Sequence, residues 1–284
     1  MKRKIGLIGL GFIGSFYAQK LLEAGFPLSV FDIDREKVEK AIDAGAKAAA
    51  AYDELTKASD VIILSLPGSE IVEEVMSGPG GVLSVLQEGQ LVIDTSTCRP
   101  ATAVKCQKLC AEKKAGFVDS PLTRRKQGQI LMAGGSEKDF AAAEEILACI
   151  SYKYKHIGPA GHGQYLKMIN QALMGNILAA GAEAVELSKK CGIDPLLIRD
   201  YLEFDIHNSF YSGDYAGGGN LAIHYKDLGY LNEIAHDVKA NIPISALVHE
   251  LFKATMPYGD PNWIQAGIQT YYKRLNDPGY KPGT

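Results

Sequence analysis

The spacing of hydrophobic and polar positions changes repeatedly along the first half of the chain. Residues 4–8 (KIGLI) are a short run of β character, and an apolar-periodic helix follows, to about Glu23. The next strand, PLSVFD, ends at Asp32, and DREKVEKAIDAG reads as a helix ended by glycine. VIILSLP and LVIDTST are near-continuous apolar runs, the pattern of parallel strands buried on both faces. Residues 69–77 and 82–87 predict helices, and Pro100 opens another, to about Lys114. Strand character returns at Gly116–Asp119 and at QILMAGG, with Thr123, Arg124, Arg125 and Lys126 on a polar loop between them. A helix over 137–149 and a strand at YKYKHIG complete the series. Strands alternating with helices predict an α/β, doubly wound parallel sheet.

From Gly161 the pattern becomes helical only. GPAGHGQYLKMIN and QALMGNILAAGAEAVELSKKCG form one glycine-led helix over 161–190, apolar nearly all round, which predicts burial. Lys167, Asn170 and Gln171 stand at i, i+3 and i+4, on one face. A lysine is almost never fully buried without a partner, so its amine is expected at a cleft. Asp194 as N-cap and Pro195 at the first position open a helix over DPLLIRDYLEF. SGDYAGGGN (212–220) reads as a flexible stretch, either a lid or a surface loop. HYKDLGYLNEIAHDVK, VHELFKATMPYG and WIQAGIQTYYKRL are helical, and DPGYKPGT is a frayed tail. Two domains are expected: 1–160 as an α/β sheet domain, and 161–284 as an all-helical domain that includes the 161–190 inter-domain helix.

Composition narrows the partners. The chain has 284 residues, 46% apolar and 22% charged, with 30 basic and 33 acidic side chains giving a net charge of −3. That balance argues against a general nucleic-acid binder or a membrane-surface binder. No apolar run approaches a spanning helix. The basic start, Lys2 to Lys4, precedes glycines spaced for a nucleotide loop rather than a signal peptide. The five scattered cysteines read as reduced thiols, which fits a cytoplasmic compartment. The histidines show neither HxxxH nor HExxH, and no metal site is expected.

The chemistry begins at Gly9-Leu10-Gly11-Phe12-Ile13-Gly14, a G-x-G-x-x-G placed between strand and helix. The first glycine makes the turn, the second lets backbone approach a pyrophosphate, and the third lets helix and strand pack. Asp32 lies near the spacing of the acid that binds the adenosine ribose; its carboxylate repels a 2′-phosphate, which favours NAD over NADP. Ligands of such sheets sit off the carboxyl ends of the strands, so Leu66, Pro67 and Thr97 are cofactor-side candidates, with a plain N-cap the other reading of Thr97. Arg124 and Arg125 follow another strand end and would suit an anionic substrate.

In four regions, in order, the chain resembles the β-hydroxyacid dehydrogenases, the family of 3-hydroxyisobutyrate dehydrogenase and tartronate semialdehyde reductase. GLIGLGFIG is similar to the family's cofactor loop, DSPLTRRKQGQILMAGG to its substrate segment, GPAGHGQYLKMINQ to its catalytic segment and HYKDLGYL to its late K-D-L motif. The resemblance implies a Rossmann domain, a long inter-domain helix and an all-α carboxyl-terminal domain. It implies Lys167 as catalytic lysine and Lys226 as a lysine reaching back to the active site on the cofactor side. It also implies NAD(P)-dependent interconversion of a short 3-hydroxy acid and its semialdehyde, by a homodimer or homotetramer. The family usually has a serine and two glycines where this chain has Thr123, Arg124 and Arg125, which suggests a second anionic group on the substrate. Asn170 and Gln171 both stand where a substrate-orienting amide is expected.

Lys167 is then expected to exchange the hydroxyl proton, its pKa lowered by burial and neighbouring cations. Other readings stay open at this point: an imine reductase on the same architecture, a phosphogluconate-type decarboxylating enzyme, or a non-catalytic dinucleotide-binding module.

Overall fold

The computed structural model describes residues 2–281 except Gly219. The chain divides into two compact units, 1–167 and 168–284, and the division falls inside the helix expected to join the domains. The end of the tail, residues 282–284, and Gly219 of the glycine stretch lie outside the described residues.

In the first unit, β1 (Ile5–Ile8), α1 (Phe12–Glu23), β2 (Leu28–Phe31), α2 (Arg35–Asp43) and the two-residue β3 (Lys47–Ala48) lead to α3 (Tyr52–Lys57). Then come β4 (Val61–Leu64), α4 (Ser69–Ser77), α5 (Val82–Val85), β5 (Leu91–Asp94), α6 (Pro100–Glu112) and β6 (Gly116–Asp119). The series closes with β7 (Leu122–Arg125), β8 (Gly128–Gly135), α7 (Glu137–Ile150), β9 (Lys153–Gly158) and the start of α8 (His162–Lys190). One sheet runs in the order β3-β2-β1-β4-β5-β6-β8-β7, with β9 also paired to β8. The first six strands are parallel; β8 is antiparallel to β6 and β7, and parallel to β9.

The apolar runs were read as strands buried on both faces, and they are. In β4, Val61 and Ile63 join one core with Leu7, Leu21, Ile93 and Leu147, while Ile62 and Leu64 join the other with Leu55, Val75, Val92 and Phe117. Consecutive strand side chains point to opposite faces, so an unbroken apolar run feeds two cores at once.

Three sequence expectations need correction. Thr123, Arg124 and Arg125 are not on a loop but in β7, hydrogen-bonded to β8; the turn is only Lys126 and Gln127. The exposed arginines lie on an edge strand, where charge resists pairing with another sheet, and their polarity masked the strand. The helix expected over 194–204 is the short α9 (Leu196–Asp200), where the Asp194 carboxylate accepts the Leu196 N–H at 3.0 Å. Finally, α8 is not buried all round: Ile169, Leu173, Ile177 and Leu187 are each more than half exposed.

The second unit continues α8 and adds α10 (Ser209–Ser212), α11 (Asn220–Asp237), α12 (Pro243–Thr255) and α13 (Gln269–Asn276). Its core gathers Met168, Leu178, Val185, Phe210, Leu228 and Phe252. No described helix is long and apolar enough to cross a membrane.

Two acids are buried at the carboxyl ends of the central strands. Burial pushes Asp94 up to about 6, opposed by Ser96 and Cys98. Burial likewise pushes Asp119 up to about 7, opposed by the N–H groups of Gly161 and Gln164. The ordinary carboxylate value is 3.8, so over the interval above it the folded chain holds protons that the unfolded chain has released. The stabilisation from these acids is therefore complete below that value and is lost as pH rises toward 7. The melting temperature of Asp119→Asn, relative to wild type, should accordingly improve between pH 5 and pH 8; a difference independent of pH would refute the assignment.

Candidate active site

Parallel pairing brings the carboxyl ends of β1, β2, β4, β5 and β6 to one edge of the sheet. That edge carries Gly9–Gly14, Asp32, Leu66 and Pro67, Thr97, and the start of the Ser120–Arg125 segment. The sequence candidates of the first unit other than Lys167 are therefore placed together by topology.

The three loop glycines have three different surroundings. Gly9 has φ +96°, and a Cβ there would meet the Ser65 carbonyl oxygen at 2.3 Å. At Gly14 a Cβ would meet the Gly9 carbonyl oxygen at 1.9 Å, so α1 can start here only with glycine. Gly11 has nothing within 4 Å of a built Cβ. Packing demands the first and third glycines, and only open space stands at the second, which is where a dinucleotide phosphate needs close backbone approach. Gly11 is the N-cap of α1, with no side chain capping the helix and no acid in its first turn. The amides there suit an anion. The residues present thus fit a dinucleotide.

Asp32 follows β2 and is tied down through both oxygens. Leu10 N–H donates to Oδ2 at 2.5 Å, and Asp34 N–H to Oδ1 at 2.8 Å. The acid is thereby fixed beside the glycine loop, with Leu10 buried and Phe12 72% exposed. Ile13 packs against the core. Leu66 N–H donates to the Ser96 hydroxyl at 2.9 Å, which joins the loop after β4 to the loop after β5.

On β7, Thr123 is buried and Arg124 and Arg125 are exposed. The Arg124 guanidinium stands 4.7 Å from the centre of the Phe12 ring, at the glycine loop itself. Arg125 donates to the Thr123 hydroxyl at 2.8 Å and to the Arg124 carbonyl at 2.9 Å. One guanidinium thus faces the glycine loop, and the other closes on Thr123.

Lys167 stands in the second turn of α8 and is only 8% exposed. The first turn of that helix is held by Asp119, which accepts the Gly161 N–H at 2.7 Å and the Gln164 N–H at 3.1 Å. Sequence reasoning missed Asp119 and Gln164. Aspartate at the end of an apolar strand was a usable signal, since a buried carboxylate must have donors. It also missed Ser120, whose buried hydroxyl has no hydrogen-bond partner among the described residues.

In the second unit, Gln171 Nε2 donates to Asp227 Oδ2 at 2.7 Å and lies 3.4 Å from His224 Nδ1. Asn170 Nδ2 donates to Gln171 Oε1 at 3.0 Å. Lys226 lies 3.2 Å from Asp227 Oδ1 and 5.1 Å from the centre of the Tyr230 ring. The K-D-L run therefore has an internal logic: Asp227 ties α11 to α8, and Lys226 precedes it by one position. Gln171 is engaged in that tie.

Comparison with known proteins agrees with this architecture along nearly the whole chain. Residues 4–158 match the model described as the NAD binding domain of 6-phosphogluconate dehydrogenase, and residues 161–268 match NAD-binding of NADP-dependent 3-hydroxyisobutyrate dehydrogenase. The chain is 33% identical over 271 residues to 2-(hydroxymethyl)glutarate dehydrogenase of Eubacterium barkeri, covering 90% of each chain. It is 31% identical over 294 residues to L-threonate dehydrogenase of Cupriavidus necator, covering 98% of this chain and 99% of the relative. The fold is shared with Mycobacterium tuberculosis 3-hydroxyisobutyrate dehydrogenase with L-serine, at TM-score 0.87 and 22% identity, covering 96% and 100% of the two chains. Together with the glycine loop, the fixed acid and the buried lysine, these matches mean that the chain belongs to the β-hydroxyacid dehydrogenase family, NAD(P)-dependent oxidoreductases that act on a CH–OH group.

Proposed function

We propose that the protein interconverts a short 3-hydroxy acid and its semialdehyde or keto form with NAD, and that the substrate carries a second anionic group. The observation that carries this reading is the nearly buried Lys167, one turn beyond a helix start fastened to the carboxyl edge of the sheet. Oxidation of an alcohol releases a proton from oxygen as hydride leaves carbon. Lys167 takes that proton as general base and, as the ammonium, returns it in reduction. The dinucleotide, when bound, accepts or supplies the hydride. Asn170 is the amide favoured for orienting the hydroxyl, because it is only partly buried whereas Gln171 is buried and bound to Asp227. Thr123 and Arg125 are favoured for the substrate carboxylate and its second anion. Arg124, beside Phe12, covers the boundary between substrate and cofactor loop. A relative named for 2-(hydroxymethyl)glutarate, a hydroxy acid with two carboxylates, supports this direction.

Asp32 supports NAD over NADP: a carboxylate held rigidly after β2 accepts ribose hydroxyls and repels a phosphate. We assign Gly9 to Gly14, Leu66, Pro67 and Thr97 to the rest of the cofactor side, and Lys226 of the K-D-L run to cofactor binding by the family resemblance. The exposed apolar stripe Ile169, Leu173 and Ile177 on α8 supports a homodimer or homotetramer. The expected compartment is the cytoplasm.

Turnover across 3-hydroxy acids with one carboxylate, or with an added carboxylate, sulfonate or phosphate, tests the reading. Dianionic compounds should be preferred, and replacing Arg124 and Arg125 together with alanine should erase that preference. Lys167→Ala should lower kcat by roughly a hundredfold or more while the dinucleotide still binds. Equal turnover of monocarboxylates before and after the arginine change would make the arginines bystanders.

For the cofactor, kcat/KM should favour NAD over NADP by about tenfold or more, and Asp32→Asn should narrow the ratio. Gly11→Ala should melt like wild type, having met only open space, yet bind NADH more weakly. Unchanged binding would remove the loop from the cofactor site. A monomeric mass by light scattering at micromolar concentration would remove the oligomer proposal.

A further inference from the structure

We propose that Gln164 is a positioning residue, one that makes the Thr97 loop and the first two turns of α8 respond together when the dinucleotide binds. The inference rests on the reading of Lys167 as the acid–base group for its catalytic meaning, but the mechanical coupling is testable without it.

Gln164 is fully buried. Its Nε2 donates to the Ser96 carbonyl at 2.9 Å, and its Oε1 accepts the Cys98 N–H at 2.9 Å. One side-chain amide therefore pairs with backbone on both sides of Thr97, as a neighbouring strand would. The backbone N–H of the same residue donates to Asp119. The two ends of Gln164 thus grip β5's exit loop and β6's last residue. Ser96 carries the connection further, since its hydroxyl receives the Leu66 N–H. Lys167 follows three positions later, on the same helical face.

The chemistry selects glutamine. A carbonyl and an N–H must be satisfied at once, and a primary amide offers a donor and an acceptor side by side in one plane. Ionised glutamate lacks the donor, methionine and leucine lack both groups, and asparagine is one methylene shorter. The helix start also has no slack. A Cβ at Gly163 would fall 2.1 Å from the Met132 carbonyl oxygen and 2.7 Å from Asp119 Oδ2. The first turn is therefore seated flush on β6 and β8, and a shift of the Thr97 loop is passed to it through Gln164 rather than absorbed.

Gln90 is a natural control. It is also buried, with Nε2 donating to the Thr56 and Ser59 carbonyls, but it precedes β5 at the opposite end of the strand. Loss of its amide removes buried hydrogen bonds without touching the candidate site.

The test is amide hydrogen exchange of the full chain with and without saturating NADH, on wild type, Gln164→Met, Gln164→Leu, Gln90→Met and Lys167→Ala. NADH affinity is read in parallel by fluorescence. In wild type, Gln90→Met and Lys167→Ala, NADH should slow exchange at 94–99 and at 161–168, by about threefold or more. In Gln164→Met the first segment should still be slowed while the second loses its response. Gln164→Leu, which removes both donor and acceptor with another apolar side chain, should show the same loss if the methionine variant does not fold. Persistent slowing of 161–168 in both Gln164 variants would overturn the proposal, as would a wild type in which NADH leaves that segment unaffected. Lys167→Ala with full turnover would defeat the acid–base reading alone and leave the coupling standing.

Discussion

The start of the long helix depends on one buried carboxylate. The first N–H groups of any helix lack intrahelical partners and carry the positive end of its dipole. In α8 those groups are inside the protein, where each unpaired donor would cost about 1–3 kcal/mol. Asp119 at the end of β6 receives two of them, one on each oxygen. The carboxylate is itself buried and needs donors as much as the helix needs acceptors. Each group makes the other's burial tolerable, and the register of α8 on the sheet follows. The polar side chains of its first two turns, Gln164 and Lys167, inherit their position from this contact.

The cofactor edge is governed by the complementary rule, that backbone can come close only where side chains are missing. Gly9 and Gly14 are required by neighbouring carbonyl oxygens, and Gly11 is bounded by open space. The loop is thus rigid against the protein on two sides and accessible on the third. Asp32, gripped by Leu10 and Asp34, has little freedom to turn away. A fixed acid discriminates between hydroxyl and phosphate better than a mobile one, because a mobile carboxylate retreats from the phosphate into water.

How much of this was legible varied with how local each feature is. The apolar runs of β1, β4 and β5, the proline-led α6 and the glycine loop were readable because period, cap and turn chemistry act over a few residues. β3 and α3 were not read: one has two residues, the other six, and neither offers a full period. β7 was hidden because its arginines are exposed on an edge strand, where pairing with β8 and not burial makes the strand. α8 was read correctly in length, but its exposed apolar stripe could not be separated from its buried one by composition. Gln171 looked equal to Asn170 along the chain, and only Asp227, far away in sequence, distinguishes them.

By itself the sequence determined the alternation of strands and helices, the dinucleotide loop with its acid, and the lysine on the long helix. Each is written in residues within one turn, one strand or one loop of each other. The tertiary structure alone decided which acids are buried, which amide is tied to Asp227, and where each arginine points. It also decided that Gln164, an unremarked residue between a glycine and a tyrosine, joins two strand ends. Those outcomes depend on partners brought together by pairing order across the sheet, from positions as far apart as Ser96 and Gln164. A hydrogen bond between groups so distant leaves no periodic trace, because its geometry is set by packing and not by spacing along the chain.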